Sequence, residues 1–350
     1  MQTKENIQNI APYQPGVLKE GAIKLASNEN PLGSSPKALA ALKESLDKLH
    51  LYPDGGCVRL KNALAEYYGL SPEYFLTGNG SDEIFHFITA AFVRPAERVL
   101  TSTVTFSEYT FAAKLFAGAV DYAPLADGRF QLEAMLQKIT PQTKIIFLAN
   151  PNNPTGTYFP AAELENFLKK VPDEIMVVLD EAYAEYAAAA DYPNSLGLLK
   201  TFKNLLLTRT FSKIYGLAGL RAGYMIAAPE VIAYLNKTRE PFNVNALAQT
   251  AAAAALDDRD FVRRSRENNE IGKKYLYAEF DKLGLKYYPT EANFIFVYIG
   301  QDCNAAFQKL LERGVTVRPL QSFGVQDAIR VTIGTPEQNQ KFSAALKEIL

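Results

Sequence analysis

The chain has 350 residues, long enough that two linked hydrophobic cores are expected. Hydrophobic residues make up 48% and charged residues 21%, which is the range of a folded globular protein and excludes a disordered chain. Thirty-seven Lys and Arg against 38 Asp and Glu leave a net charge of −1 with neither sign massed in one stretch, so the expected partner is a small molecule, with no nucleic acid and no membrane.

Cys57 and Cys303 lie far apart without metal-ligand spacing, so two free thiols in a reducing compartment are expected. The polar start Met1 to Asn6 has no apolar signal core behind it, and nowhere do about 18 apolar residues run together, which points to the cytoplasm.

In chain order, residues 1–40 carry little core of their own. Gly16, Pro31, Gly33 and Pro36 make them irregular, and they read as an arm draped over the rest. From 41 to 238, apolar β-rich runs (Tyr74 to Thr77, Arg98 to Ser102, Lys144 to Ala149, Met176 to Asp180, Leu205 to Arg209, Gly223 to Ala227) alternate with helical patterns. Those patterns cover Lys37 to Leu49, Val58 to Tyr68, Asp82 to Phe92, Thr110 to Phe116, Leu132 to Gln137 and Ala161 to Lys170. Continuous apolar strands such as Ile145 to Leu148 suit a mostly parallel sheet covered on both faces, hence a three-layer α/β/α domain. Residues 239–350 read as a smaller α+β domain: a long helical stretch through Lys282, strands at Leu285 to Tyr288 and Asn293 to Ile299, and a helix at Asn304 to Arg313. Strands at Val315 to Arg318 and Ala328 to Ile333 follow, then a last helix with Thr335 as N-cap and Pro336 at its first position.

Ligands of open α/β sheets bind beyond the carboxyl ends of the strands, and the unusual residues gather there. After Tyr74 to Thr77 comes Gly78-Asn79-Gly80-Ser81-Asp82-Glu83 and then a helix, which is either a plain helix cap or a phosphate cradle. Lys144 to Ala149 runs into Asn150-Pro151-Asn152-Asn153-Pro154-Thr155-Gly156, a rigid turn with amide donors. Asp180 follows four apolar residues, so it is either a cap or a buried partner for a cation. Leu205 to Arg209 ends in a stretch with Thr210, Ser212, Lys213, three glycines and Arg221, suited to phosphate. Desolvation and nearby cations would lower the pKa of Lys213 there and let it form a Schiff base. No G-x-G-x-x-G or P-loop follows the first strand, His50 and His86 lack metal-site spacing, and no G-x-S-x-G elbow is present, so dinucleotide, metal and serine-hydrolase chemistry are not expected.

The ordered set Tyr52-Pro53, Gly80-Ser81-Asp82, Asn150 to Gly156, Asp180-Glu181-Ala182-Tyr183, Ser212-Lys213, Arg221 and Arg330 resembles the fold-type I aminotransferases that use pyridoxal 5′-phosphate. The resemblance covers nearly the whole chain. Pro12 to Gly16, Lys24 to Pro31 and Leu51 to Asp54 are similar to the histidinol-phosphate aminotransferase branch. Aromatic-amino-acid aminotransferases and phosphothreonine decarboxylases, the latter lyases, are similar over the same stretches, and a pyridoxal-phosphate-binding regulator is a further rival.

The resemblance implies that Lys213 holds the cofactor covalently and then moves a proton, as nucleophile and base in turn. Asp180 would pair with the ring nitrogen. Tyr183 and Asn153 would bind the ring oxygen. Gly80, Ser81, Thr210, Ser212 and Arg221 would hold the phosphate, supported by Asp82, with Tyr52 arriving from a second subunit. Phe106 would stack on the ring. Arg330, with Arg318, Tyr13, Asn28 and Asn153, would form the substrate site, its guanidinium serving either a carboxylate or a phosphate. The implied partners are an amino donor and a 2-oxo acid, and the implied assembly is a homodimer with shared sites.

Overall fold

Seven strands form the central sheet of the computed structural model, which describes residues 2–12 and 19–350: β1 (Phe75–Gly78), β2 (Arg98–Ser102), β3 (Ala119–Ala123), β4 (Thr143–Ala149), β5 (Met176–Asp180), β6 (Leu205–Thr210) and β7 (Gly223–Ile226). Their order is β1-β7-β6-β5-β4-β2-β3, and only β7 runs antiparallel to its neighbours. Ile145, Ile146, Phe147, Leu148, Val177, Val178 and Leu179 are wholly buried, as strands covered on both faces must be. Because β7 runs backwards, Gly223 pairs with Gly78 and with Thr210, which brings Arg221 to the edge where the other strands end.

Helices α1 (Pro36–Lys43), α2 (Val58–Tyr68), α3 (Ser81–Phe92), α4 (Glu108–Leu115) and α5 (Ala161–Leu168) alternate with these strands. The alanines of α6 (Ala246–Leu256) let it lie close against α1 and α2, with Ala248, Ala251, Ala252 and Ala255 fully buried. The long α7 (Arg259–Lys282), α8 (Cys303–Glu312) and α9 (Pro336–Ile349) pack with β8 (Phe294–Tyr298), β9 (Arg318–Pro319) and β10 (Ala328–Thr332) around a second core that includes Leu276, Phe280, Ile295 and Val331. Thr335 and Gln338 close a capping box on α9, with Pro336 in its first turn.

Several sequence expectations are corrected. The stretch after residue 238 is two helices because Asn245 caps α6 and Asp258 caps α7, accepting from Phe261 N and from Ser35 Oγ at 2.7 Å. The first core extends to Leu256 and includes Ala38, so α1 and α6 pack with the sheet. Strand β3, most of whose residues are only partly buried, is absent from the sequence reading. Leu285 to Tyr288 contributes only a bridge between Tyr287 and Val297. The draped arm takes a definite path: Ile23–Lys24 pairs in parallel with Val315–Thr316, and Leu25 enters the second core. Among the described residues no helix is long and apolar enough to cross a membrane.

Candidate active site

A cleft of about 290 Å³ opens at the carboxyl edge of the sheet. It gathers Ser81, Asp82, Phe106, Asn153, Asp180, Tyr183, Thr210, Ser212, Lys213 and Arg221 with Asn28, Arg318 and Arg330. Gly80 stands one residue outside the lining. Its φ of 82° suits glycine, and a Cβ there would run into the Arg221 guanidinium. Tyr52 lies away from the cleft, 84% exposed and stacked on Phe242 at 4.8 Å. Tyr13 lies outside the described residues.

The floor of the cleft is acidic and buried. Asp180 ends β5, and its Oδ2 accepts a 2.6 Å hydrogen bond from Tyr109 OH. Its Oδ1 accepts from the Ala182 amide at 3.1 Å and from Thr208 Oγ1 at 3.4 Å. No described cation pairs with it. Burial pushes its carboxyl up to about 6, against the opposing pull of these donors. The next residue shows what alternation does: Glu181 points to the other face and forms two hydrogen bonds with Arg209, at 2.9 and 3.0 Å, and a third with Ser195 Oγ at 2.7 Å. Of two adjacent carboxylates, one is neutralised by the protein and the other is left for a ligand.

One wall is built for an anion. Helix α3 starts at Ser81 without a side-chain cap, so its first N–H groups face the cleft. Arg221, at φ 56°, reaches across to Asp82 at 3.0 Å and to Ser212 Oγ at 3.4 Å. Thr210 Oγ1 accepts from the Ser212 amide at 3.1 Å, which shapes the turn into Lys213. Glu108, the first residue of α4, lines the same cleft, and burial together with the charge of Asp82 raises its carboxyl to about 7.

Opposite stand two arginines, directly paired across β9 and β10. Arg330 is buried: Nη2 donates to Ala26 O at 2.8 Å, Nη1 to Asn153 Oδ1, and Nε has no partner among the described residues. Burial, aided by the like charge of Arg318, lowers it to about 10, although the nearby Tyr183 works the other way. Among the described residues Arg318 donates only to Ser322 Oγ, at 3.3 Å. Two cations at this spacing want an anion between them.

Lys213 lies between these walls. Its Nζ donates to Ser27 O at 3.3 Å and sits 5.6 Å from the Tyr183 ring centre. The Tyr183 hydroxyl accepts from Asn28 Nδ2 at 2.9 Å. In the Asn-Pro turn the three asparagines divide their work. Asn150 bonds the Phe159 backbone, Asn152 bonds Val104 O, Thr105 and Thr155, and Asn153 alone faces the cleft.

Sequence reasoning missed Tyr109, Thr208, Glu108 and the carbonyls of Ala26 and Ser27. Thr208 was within reach of pattern reading, since it shares a strand face with Thr210 and stands in register with Asp180.

A family model described as aminotransferase class I and II matches residues 20–346, and the chain belongs to this family of enzymes. It is 51% identical to the histidinol-phosphate aminotransferase of Moorella thermoacetica, over 99% of this chain and 92% of that protein. It is 47% identical to the histidinol-phosphate aminotransferase of Brevibacillus brevis, over 100% of this chain and 99% of that protein. Among solved structures, the histidinol-phosphate aminotransferase of Sinorhizobium meliloti in complex with pyridoxal 5′-phosphate superposes with a TM-score of 0.90 at 28% identity, over 99% of this chain and 97% of that chain.

Proposed function

We propose that this chain is a pyridoxal-phosphate-dependent aminotransferase that converts L-histidinol phosphate and 2-oxoglutarate to imidazole acetol phosphate and L-glutamate, in histidine biosynthesis in the cytoplasm. The observation that carries the cofactor reading is the charge layout of the cleft: a buried carboxylate without a cation, an amine beyond it, and a helix N-terminus with an arginine at the side. That donor set fits a cationic ring bearing a phosphate. The names of the full-length relatives support the choice of substrate.

Pyridoxal phosphate supplies an aldehyde that condenses with amines and a ring that accepts the electrons released at the neighbouring carbon. The residues of the chain do the rest. Lys213 anchors the cofactor through Nζ and afterwards holds and delivers a proton. Asp180 seats the ring cation, while the Tyr183 hydroxyl and the Asn153 amide bind the ring oxygen. Gly80, Ser81, Thr210, Ser212 and Arg221 hold the phosphate, with Asp82 orienting Arg221. Phe106 covers the ring face, and Arg330 and Arg318, with Asn28 and Tyr13, receive the substrate anion. One pair of arginines suits both half-reactions because a guanidinium fork binds carboxylate and phosphate alike.

The working unit in this reading is a homodimer. An N-terminal arm, a cofactor domain and a C-terminal domain make up each subunit, and Tyr52 completes the phosphate site of its partner. Its exposure, together with Leu49 and Leu51, supports this. Mixing Tyr52→Ala and Lys213→Ala chains under exchanging conditions then regenerates one native site per mixed dimer, read as recovered tight cofactor binding. No recovery argues against a shared site.

The substrate is tested by half-reactions of the cofactor-loaded protein with histidinol phosphate, phenylalanine and phosphothreonine. The expected result is conversion to the amine form of the cofactor by histidinol phosphate, reversed by 2-oxoglutarate. Faster reaction with phenylalanine, or release of carbon dioxide from phosphothreonine, moves the chain to another branch of the family.

A further inference from the structure

We infer that Tyr109 is a positioning residue for the cofactor ring: its hydroxyl holds Asp180 ionised and aimed, while its ring backs Phe106, so that one side chain sets both the nitrogen seat and the stacking face. This rests on the reading that Asp180 seats a ring cation.

The geometry leaves Tyr109 little freedom. It is wholly buried, stacked on Phe147 with ring centres 4.8 Å apart and planes 5° apart. It meets Phe85 edge-on at 5.1 Å and Phe106 edge-on at 5.7 Å. These rings enclose the phenol that donates the 2.6 Å hydrogen bond to Asp180 Oδ2. The rings also fix the hydroxyl in place before any ligand arrives, so no side-chain freedom is lost when the site is used. Burial and the neighbouring Asp180 charge raise the phenol well above its ordinary value, so it remains a donor through the physiological range.

The groups facing Asp180 point the same way. Asp82 on α3 opposes its ionisation. Burial raises the phenol of Tyr192, from the segment after β5, well above its ordinary value, so it brings no charge near neutral pH. Lys213, beyond β6, donates to Ser27 O and forms no hydrogen bond or ion pair with Asp180. The donors that favour the anion are Tyr109, the Ala182 amide and Thr208, and of these the Tyr109 bond is the shortest. Removing it raises the Asp180 carboxyl further, by roughly one pH unit for one strong hydrogen bond.

The test is the affinity of the cofactor-free protein for pyridoxal 5′-phosphate as a function of pH, for wild type, Tyr109→Phe and Thr208→Val. The cofactor's own titrations are common to all three. In wild type the affinity falls as pH drops through the Asp180 range near 6. In Tyr109→Phe, which keeps the ring and its packing, the same fall is expected about one unit higher, with roughly fivefold weaker binding at pH 6, approaching tenfold below pH 5, and converging curves above pH 8. Thr208→Val, losing the 3.4 Å contact, is expected to shift the limb by less. Superimposable limbs for wild type and Tyr109→Phe, or a larger shift in Thr208→Val, would overturn the inference. Wild type that fails to take up the cofactor at any pH would instead overturn the functional reading beneath it.

Discussion

Replacing Lys213 with Ala is expected to abolish the visible absorbance that the protein acquires on mixing with pyridoxal phosphate and to lower turnover by ~10⁴-fold or more, because anchor and proton carrier are lost together. The fold should survive, since among the described residues Lys213 Nζ makes a single hydrogen bond, to Ser27 O at 3.3 Å. Absorbance spectroscopy and single-turnover kinetics check both parts. A variant that retains its spectrum and rate would remove Lys213 from the chemistry. A variant that loses the spectrum but keeps wild-type phosphate-dependent affinity would separate the anchoring role from the phosphate cradle proposed for Ser81, Ser212 and Arg221.

The second large effect is at Asp180 and has opposite signs for activity and stability. Its carboxyl stands at about 6 in the fold, above the ordinary value of 3.8, because burial penalises the anion. The folded state therefore binds this proton more tightly than the unfolded chain does. The cofactor-free protein gains from the group at low pH and loses stability as pH rises from about 4 through about 6, by on the order of 2–3 kcal/mol in all. Asp180→Asn carries no such charge, so its denaturant midpoint should not fall over that window as wild type's does. Glu108, with its own raised carboxyl, adds a decline of the same sign in both proteins and cancels in the comparison. Turnover of Asp180→Asn should drop by ~10²-fold or more through loss of a charge-assisted hydrogen bond to the ring. Urea melts at pH 5 and pH 7 decide the stability claim: parallel pH dependence in the two proteins would show that Asp180 is not the destabilising group.

Much of this site could be read from the chain before any coordinates. The run Met176 to Leu179 ends on an acid, and the run Leu205 to Arg209 ends on hydroxyls and a lysine. Strands that end together in a parallel sheet bring such residues to one edge. What escaped depends on how elements turn into one another. The expected helix began at Thr110, whereas α4 begins at Glu108, so Tyr109 looked like loop when it is the first-turn residue driven into the sheet. Local pattern could not show that Asp180 and Glu181 divide their roles, because that division needs Arg209 on the opposite face. Nor could it show the break at Asp258, which is stabilised by Ser35, 223 residues away. Long-range caps of this kind leave no periodic trace.

The stretch from Ala26 to Asn28 links the roles of three distant side chains. Ala26 O orients Arg330, Ser27 O holds Lys213, and Asn28 Nδ2 bonds Tyr183, all within one short piece of the arm. That piece is secured by the neighbouring Ile23–Lys24 strand and by the Asn28 amide on Thr332. A chain trimmed to start at α1 would retain nearly all of both cores, yet its lysine, arginine and tyrosine would each lose a tether at once. On the proposed reading, catalytic competence is thus vulnerable far in sequence from Lys213 and Asp180, where a shift of a single backbone segment releases three side chains of the cleft together.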